Sequence, residues 1–327
     1  MLGRYFLIES FIVSSIQEYF SFLIISSDDI LSSFRYTLSM NTSLSKLSFF
    51  AVAVLWGSSF AFQKQILEQV SVVTFTFWNF FFSGCIFYLY ALYTKTPLFI
   101  KVREGIILGV LLTLLELFQM TGLAYSSAAN TVFLSNIGML IIPYLGWLLF
   151  KHEVSRADVL AVLVAIIGMY FLVGGISGLG FGEGMLLVSA VCMAFYFLYS
   201  EYISSRGKSH VLSHLVWQCF VTASICLLIG VFTHETFRVP SSLVYTLLWQ
   251  IILFTALPYM LVQWASRYAD DMLVTLYDGV IEPLVGALVA WVLFKEATTQ
   301  VQVFGGFLMV CAFLCAQIWS RKRFLKK

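Results

Sequence analysis

Three carboxylates stand where a bilayer-compatible chain should carry no charge. Asp278 and Glu282 interrupt the apolar segment LYDGVIEPLVGALVAWVLFKE at 276–296, and Glu116 interrupts another at 104–124. An ionisable group at mid-span costs on the order of 2.5–3.5 kcal/mol on insertion, so it is kept where it faces a bundle interior or water. Asp278 and Glu282, four residues apart, share one face of a helix. Pro283 donates no hydrogen bond and leaves the carbonyl of Gly279 open beside them. Nothing basic stands inside a span, because Lys64, Arg103 and Arg267 lie at ends. Such an acceptor-rich patch suits the binding of a cationic group or the carriage of a coupling proton. A plainer reading is that the pair lies nearer a membrane face and contacts water, or hydrogen-bonds Ser and Tyr of a facing helix.

Around these acids the sequence offers polar and aromatic neighbours at compatible depths. Gln119 lies three residues from Glu116; Asn130, Ser135 and Asn136 fall in the following apolar run, and Gln263 follows Pro258 in a later one. Each is either a substrate contact or an interhelical hydrogen bond worth about 0.6 kcal/mol. Trp56, Tyr196, Tyr199 and Tyr277 are aromatic candidates, since a cation against such a ring face gains about 0.5–2 kcal/mol; the interfacial belt is the competing role for Tyr and Trp. His152, His210, His214 and His234 show no ligand spacing, and the six cysteines form no C-x-x-C pair, so neither a metal nor a cofactor is expected.

The elements that must position these groups follow from composition. Hydrophobic residues make up 60% of the 327 and charged ones 11%, against about 25% charged in soluble chains. The pattern is that of a polytopic membrane protein, and with a net charge of +2 and no basic stripe nucleic acid is not expected as a partner. Apolar windows of about 20 residues give ten spans, near 46–63, 71–93, 104–124, 129–150, 156–174, 182–203, 211–233, 242–265, 272–294 and 299–319. Short connections leave no room for a soluble catalytic domain. Residues 1–45 read as an N-terminal extension, with Met40 a natural start, because Glu9, Glu18, Asp28 and Asp29 break every early apolar stretch; 320–327 is a basic tail. With Lys64, Arg238 and Lys295 alone on one side and the remaining basic loop residues on the other, the positive-inside rule places both termini in the cytoplasm of a multi-pass protein of the inner membrane.

A repeat is visible within the chain. GLAYSSAANTVFLSNIGMLIIPYLGWLLFKHE (122–153) has a counterpart in WASRYADDMLVTLYDGVIEPLVGALVAWVLFKE (264–296); Tyr125 and Tyr268 lie 143 positions apart, as do Glu153 and Glu296. Five spans per half is an odd number, so the halves enter the membrane in opposite senses, an arrangement that puts a substrate site near the midplane.

VLWGSSFAFQK (54–64), QMTGLAYSSAANTVFLSNIGMLIIPYLGWLLFKHEVS (119–155) and ALPYMLVQWASRYADDMLVTLYDGVIEPLVGALVAWVLFKE (256–296) together resemble EamA-type members of the drug/metabolite transporter superfamily, over residues 46–319. The resemblance implies an all-α fold of ten transmembrane helices, built as two inverted five-helix repeats at 46–174 and 182–319 around a central cavity. It also implies movement of a small metabolite. Asp278 and Glu282 depart from the plain apolar stretch common before that proline. With Glu116 they point to a cation or zwitterion, an amino acid or an S-adenosylmethionine-like compound, moved by alternating access with a proton or a counter-substrate. No phosphate-binding loop of the G-x-x-x-x-G-K-[ST] type occurs. The alternative from another class is a membrane-embedded enzyme acting on lipid head groups. The partners expected are thus the small-molecule substrate, a coupling proton or counter-substrate, and the bilayer.

Overall fold

The computed structural model describes residues 37–151, 154–205, 211–265, 277–296 and 299–324; the side chains of 37–43, 177, 204–205, 263, 277–278, 294 and 317–324 lie outside the description. Among the described residues every regular element is a helix. In chain order these are α1 Thr37–Leu67, α2 Val72–Tyr93, α3 Val102–Tyr125, α4 Ala128–Phe150, α5 Arg156–Leu172, α6 Phe181–Ser205 and α7 Val211–Phe232. The chain continues with α8, made of Val244–Trp249, a π-helical stretch Gln250–Ala256 and Leu257–Ala265. Then come α9, a π turn Tyr277–Ile281 leading into Glu282–Phe294, and α10 Gln300–Phe324.

Local signals start and stop these helices. Ser71 and Ser127 cap α2 and α4, each side chain accepting from the backbone N–H three residues on, at 3.2 and 2.9 Å. Ser155 and Asp158 form a reciprocal capping box at α5, satisfying two orphan donors at once. Lys151 and Lys295, after the matching Phe residues, close α4 and α9 in the left-handed region at φ 61° and 53°. In the second half, two irregular stretches precede prolines: Gln250–Ala256 stands before Pro258, and Tyr277–Ile281 before Pro283. A proline removes one backbone donor and clashes with the carbonyl four residues back, and π segments of this kind concentrate at functional sites.

Among the described residues seven helices are long and apolar enough to cross a membrane: α1 from Leu44, α2, α3, α4, α6 to Ile203, α7, and Ser241–Val262, which takes in most of α8. The chain is a multi-pass membrane protein. Of the other three expected spans, α5 has 17 residues, held to that start by its capping box, and the apolar stretches described in α9 and α10 are Gly279–Leu293 and Gln300–Ala316. The residues that would lead into α9, 266–276, lie outside the description. The outward faces carry exposed Trp147, Leu148, Leu160, Leu163, Phe232, Trp291 and Phe307, a surface that hydrocarbon solvates and water does not.

The described residues from Ser45 on pack as one unit. Within it α5 lies on α10, α3 on α6 and α7, α2 on α7 and α8, α4 on α6 and α9. Helix α1 meets α8 through Trp56 against Tyr259, ring centroids 5.7 Å apart, and through Phe62 stacked on Phe254 at 5.3 Å. It crosses α9 where Gly57 abuts the carbonyl of Glu282; a Cβ on Gly286 would lie 2.9 Å from the Gly57 carbonyl. Only glycine lets two backbones come this close. Gly168 and Gly305 do the same between α5 and α10, a Cβ on Gly168 lying 2.9 Å from the Gly305 carbonyl.

Candidate functional site

A cavity of about 340 Å³ lies between the helices of the two halves, within the 300–1,000 Å³ typical of small-molecule sites. Helical periodicity selects its walls. From α1 come Trp56, Ser59, Phe60 and Gln63; from α3 Leu108, Leu112, Leu115, Glu116 and Gln119; from α6 Met193, Tyr196, Phe197, Ser200 and Ile203; from α7 Val211, His214, Leu215 and Gln218. Each set follows the three- and four-residue steps of one helix face. Asn79 and Phe80 on α2, Met139 on α4, Phe254, Thr255, Tyr259 and Val262 on α8, and Glu282 on α9 complete it.

Among the described residues two carboxylates therefore share this space, Glu116 from the first half and Glu282 from the second, with no Lys or Arg in the wall. Glu282 is 6% exposed, on the first turn of the regular part of α9. Its Oε1 accepts from Asn136 Nδ2 at 3.3 Å, and that amide also donates to the Val132 carbonyl at 2.9 Å. Three of the wall hydroxyls are turned to protein acceptors. Ser59 donates to the Trp56 carbonyl at 2.7 Å, Thr255 to Asn79 Oδ1 at 2.9 Å and Tyr196 to Gln218 Oε1 at 2.9 Å.

At one end the cavity reaches Ile203 and Val211, where α6 finishes and α7 begins. At the other it stops at Gln63 and Gln119, within about two turns of the ends of α1 and α3. Beyond them a polar knot draws four segments together. Lys64 Nζ donates to the Ser126 carbonyl, and the Ser126 hydroxyl donates to Glu183 Oε1 at 2.5 Å. The same oxygen accepts from Asn130 Nδ2 at 3.3 Å, and Glu183 Oε2 accepts from the Gly180 N–H at 3.1 Å. Glu296 reaches over the start of α4, accepting from the N–H groups of Ala128 and Ala129 at 3.0 and 3.4 Å, where a carboxylate complements the helix dipole.

Of the residues singled out from sequence, Trp56, Glu116, Gln119, Tyr196 and Glu282 line the cavity. Asn136 stands one layer behind, holding Glu282. Asn130 belongs to the polar knot, and Tyr199 stacks on Tyr202 at 6.2 Å; neither is a wall residue. The side chains of Gln263, Tyr277 and Asp278 lie outside the description. Ser59, Gln63, Asn79, Gln218, Thr255 and Tyr259 line the cavity without having been singled out. His214 does too, 4% exposed in the first turn of α7. Two signals pointed to some of these. Ser59 and Gln63 lie on the helix face of Trp56, and the 143-residue offset carries Glu116 onto Tyr259.

The model of the EamA-like transporter family matches residues 44–174 and again 180–316. A protein of Archaeoglobus fulgidus described as an uncharacterized transporter is 29% identical over 273 residues, covering 82% of this chain and 83% of its own length. One solved crystal structure of a protein, 17% identical, superposes with a TM-score of 0.65 over 86% of this chain and 98% of its own, a likeness of fold.

Proposed function

This chain belongs to the EamA-like transporter family, and from that premise we propose that it moves a small, positively charged or zwitterionic metabolite through the acid-lined cavity by alternating access. The observation that carries this reading is the cavity itself, which holds Glu116 and Glu282 with no Lys or Arg among the described wall residues, and beyond whose Gln63 and Gln119 lies the Lys64–Ser126–Glu183 knot. Buried acids are retained at such a cost where charge or protons travel. The ten helices act as two inverted five-helix repeats, each half contributing walls to one midplane site.

The packing supports that symmetry. Exchanging each helix with the one five places on turns α3 on α6 into α8 on α1, α4 on α6 into α9 on α1, and α3 on α7 into α8 on α2, all observed contacts. The walls obey the same rule. Leu112, Glu116 and Gln119 stand 143 positions before Thr255, Tyr259 and Val262, and Met139 stands 143 before Glu282. Each acid thus has a non-acidic counterpart in the other half, so the two halves place their charge at different levels of the repeat.

By the distribution of Lys and Arg, the chain sits in the cytoplasmic membrane with both termini inside. The end reached by Ile203 and Val211 then faces the cytoplasm, and the knot seals the outside. A proton or a counter-substrate on one of the acids supplies the driving force. The test is a survey of labelled solutes grouped by charge, with purified protein in liposomes. Saturable movement of cationic or zwitterionic solutes, and none of anions, is the expected result. Conversion of a lipid substrate with no solute movement would contradict it and return the chain to enzyme chemistry.

A further inference from the structure

The cavity's charged groups are one-sided among the described residues, the carboxylates of Glu116 and Glu282 with no Lys or Arg beside them. Of its hydroxyl donors, Ser59, Thr255 and Tyr196 are each engaged with a protein acceptor. An ionised carboxylate only accepts, and it has room for more than one donor. Gln63 adds to this: it is 8% exposed, lines the cavity, and its Oε1 has no hydrogen-bond partner among the described residues. A buried acceptor left unmatched is costly, so a cargo that brings a donor to it is favoured over one that does not.

We propose that this site recognises a cation through its N–H groups, a primary or secondary ammonium or a guanidinium with no carboxylate of its own, rather than a zwitterion or a fully alkylated cation. Three further points lead there, resting on the transport reading above. An N–H bearing cation makes charge-assisted hydrogen bonds to carboxylates, about twice as strong as neutral ones, whereas a quaternary ammonium or a sulfonium offers only its charge. Such alkylated cations are held by converging ring faces. Here Trp56 and Tyr259 meet edge to face at 69°, so one of those faces is covered by the other ring. A zwitterion, finally, would bring its own carboxylate into a space with two others and no Lys or Arg among the wall residues, and like charges at close range repel.

The experiment is titration calorimetry of the purified full-length chain with three probes of equal carbon chain: n-butylammonium, n-butyltrimethylammonium and 4-aminobutyrate. Butylammonium should bind at least about tenfold more tightly than either of the others, and Gln63→Leu should cut its advantage over the trimethyl probe severalfold while the protein still elutes as a folded species. Equal or tighter binding of butyltrimethylammonium, or of 4-aminobutyrate, overturns the proposal using wild-type protein alone. So does an absence of butylammonium binding when the solute survey finds zwitterions or other cations carried, an outcome that leaves the transport reading intact. A survey in which no solute moves, or only anions do, is what defeats that reading.

Discussion

Asn136 and Glu282 lie 146 positions apart in the chain and 3.3 Å apart in space, amide nitrogen to carboxylate oxygen, each buried to within a few per cent. That bond ties α4 to α9, counterparts under the 143-residue offset, and sets which way the carboxylate faces. The amide is itself fixed by its second donation, to the Val132 carbonyl. Replacing Asn136 with Leu keeps the volume and removes the donor. Losing the partner of a buried charged group costs about 1–3 kcal/mol, so the variant should reach the membrane yet show a fall of roughly fivefold or more in apparent affinity for the transported cation. Initial-rate uptake against solute concentration reads this directly. Unchanged affinity would mean the bond does not orient the acid.

A second prediction concerns the crossing of α1 and α9. Gly57→Ala drives a methyl into the Glu282 carbonyl, and Gly286→Ala places one 2.9 Å from the Gly57 carbonyl. Overpacking of this kind costs about 1–3 kcal/mol, and α9 must move away, taking Glu282 with it. Both variants should lower the thermal midpoint and transport together. Gly184→Ala is the control, because a Cβ there meets nothing within 4 Å. A midpoint for Gly57→Ala equal to that of Gly184→Ala would refute the crossing.

Closure of one end is the third. If Lys64, Ser126 and Glu183 seal the cavity, weakening the knot with Glu183→Gln or Lys64→Met should open it. Ser59 is a buried wall residue, so Ser59→Cys reports access to a membrane-impermeant thiol reagent over the baseline of the native cysteines. In sealed, oriented vesicles the single variant should label from the side of Ile203 and Val211. Adding Glu183→Gln should raise labelling from the knot side several-fold. Glu235→Gln, which disturbs only the Ser71 and Thr74 contacts at 3.0 and 3.3 Å, should not. Labelling that is insensitive to Glu183 and Lys64 would show that the seal lies elsewhere.

Much of this site could be read from sequence where chemistry and periodicity coincide. Glu116 and Glu282 stand out because charge in an apolar run is costly, and Trp56 and Tyr196 fall on stripes that the cavity uses. Other residues were illegible for physical reasons. A lone Asn or Thr in a span looks the same whether it faces a cavity or a neighbouring helix, and the partners Asn79 and Thr255 are 176 positions apart. Thr255 also lies in the π-helical stretch of α8, where an extra residue per turn shifts the face that 3.6-residue spacing predicts. Asn130 misled because it stands in the first turn of α4, where its amide donates to Glu183 and not toward the cavity. Tyr199 is next to Ser200 and three residues from Tyr196 by number, but it lies on the neighbouring stripe, against Tyr202.

The central claim is that the two cavity carboxylates meet the positive charge that is moved. Glu282→Gln tests it most directly, since it keeps size and hydrogen bonding and removes only a charge. The measurement is solute-for-solute exchange of the transported cation by wild-type and variant protein at matched insertion into liposomes. A charged hydrogen bond is worth about 1.5–3 kcal/mol, so the variant should require roughly 10-fold or more cation for half-maximal exchange, with Glu116→Gln weakening it likewise. Wild-type half-saturation in both variants would contradict the account and leave these residues as acids wetted by an open vestibule.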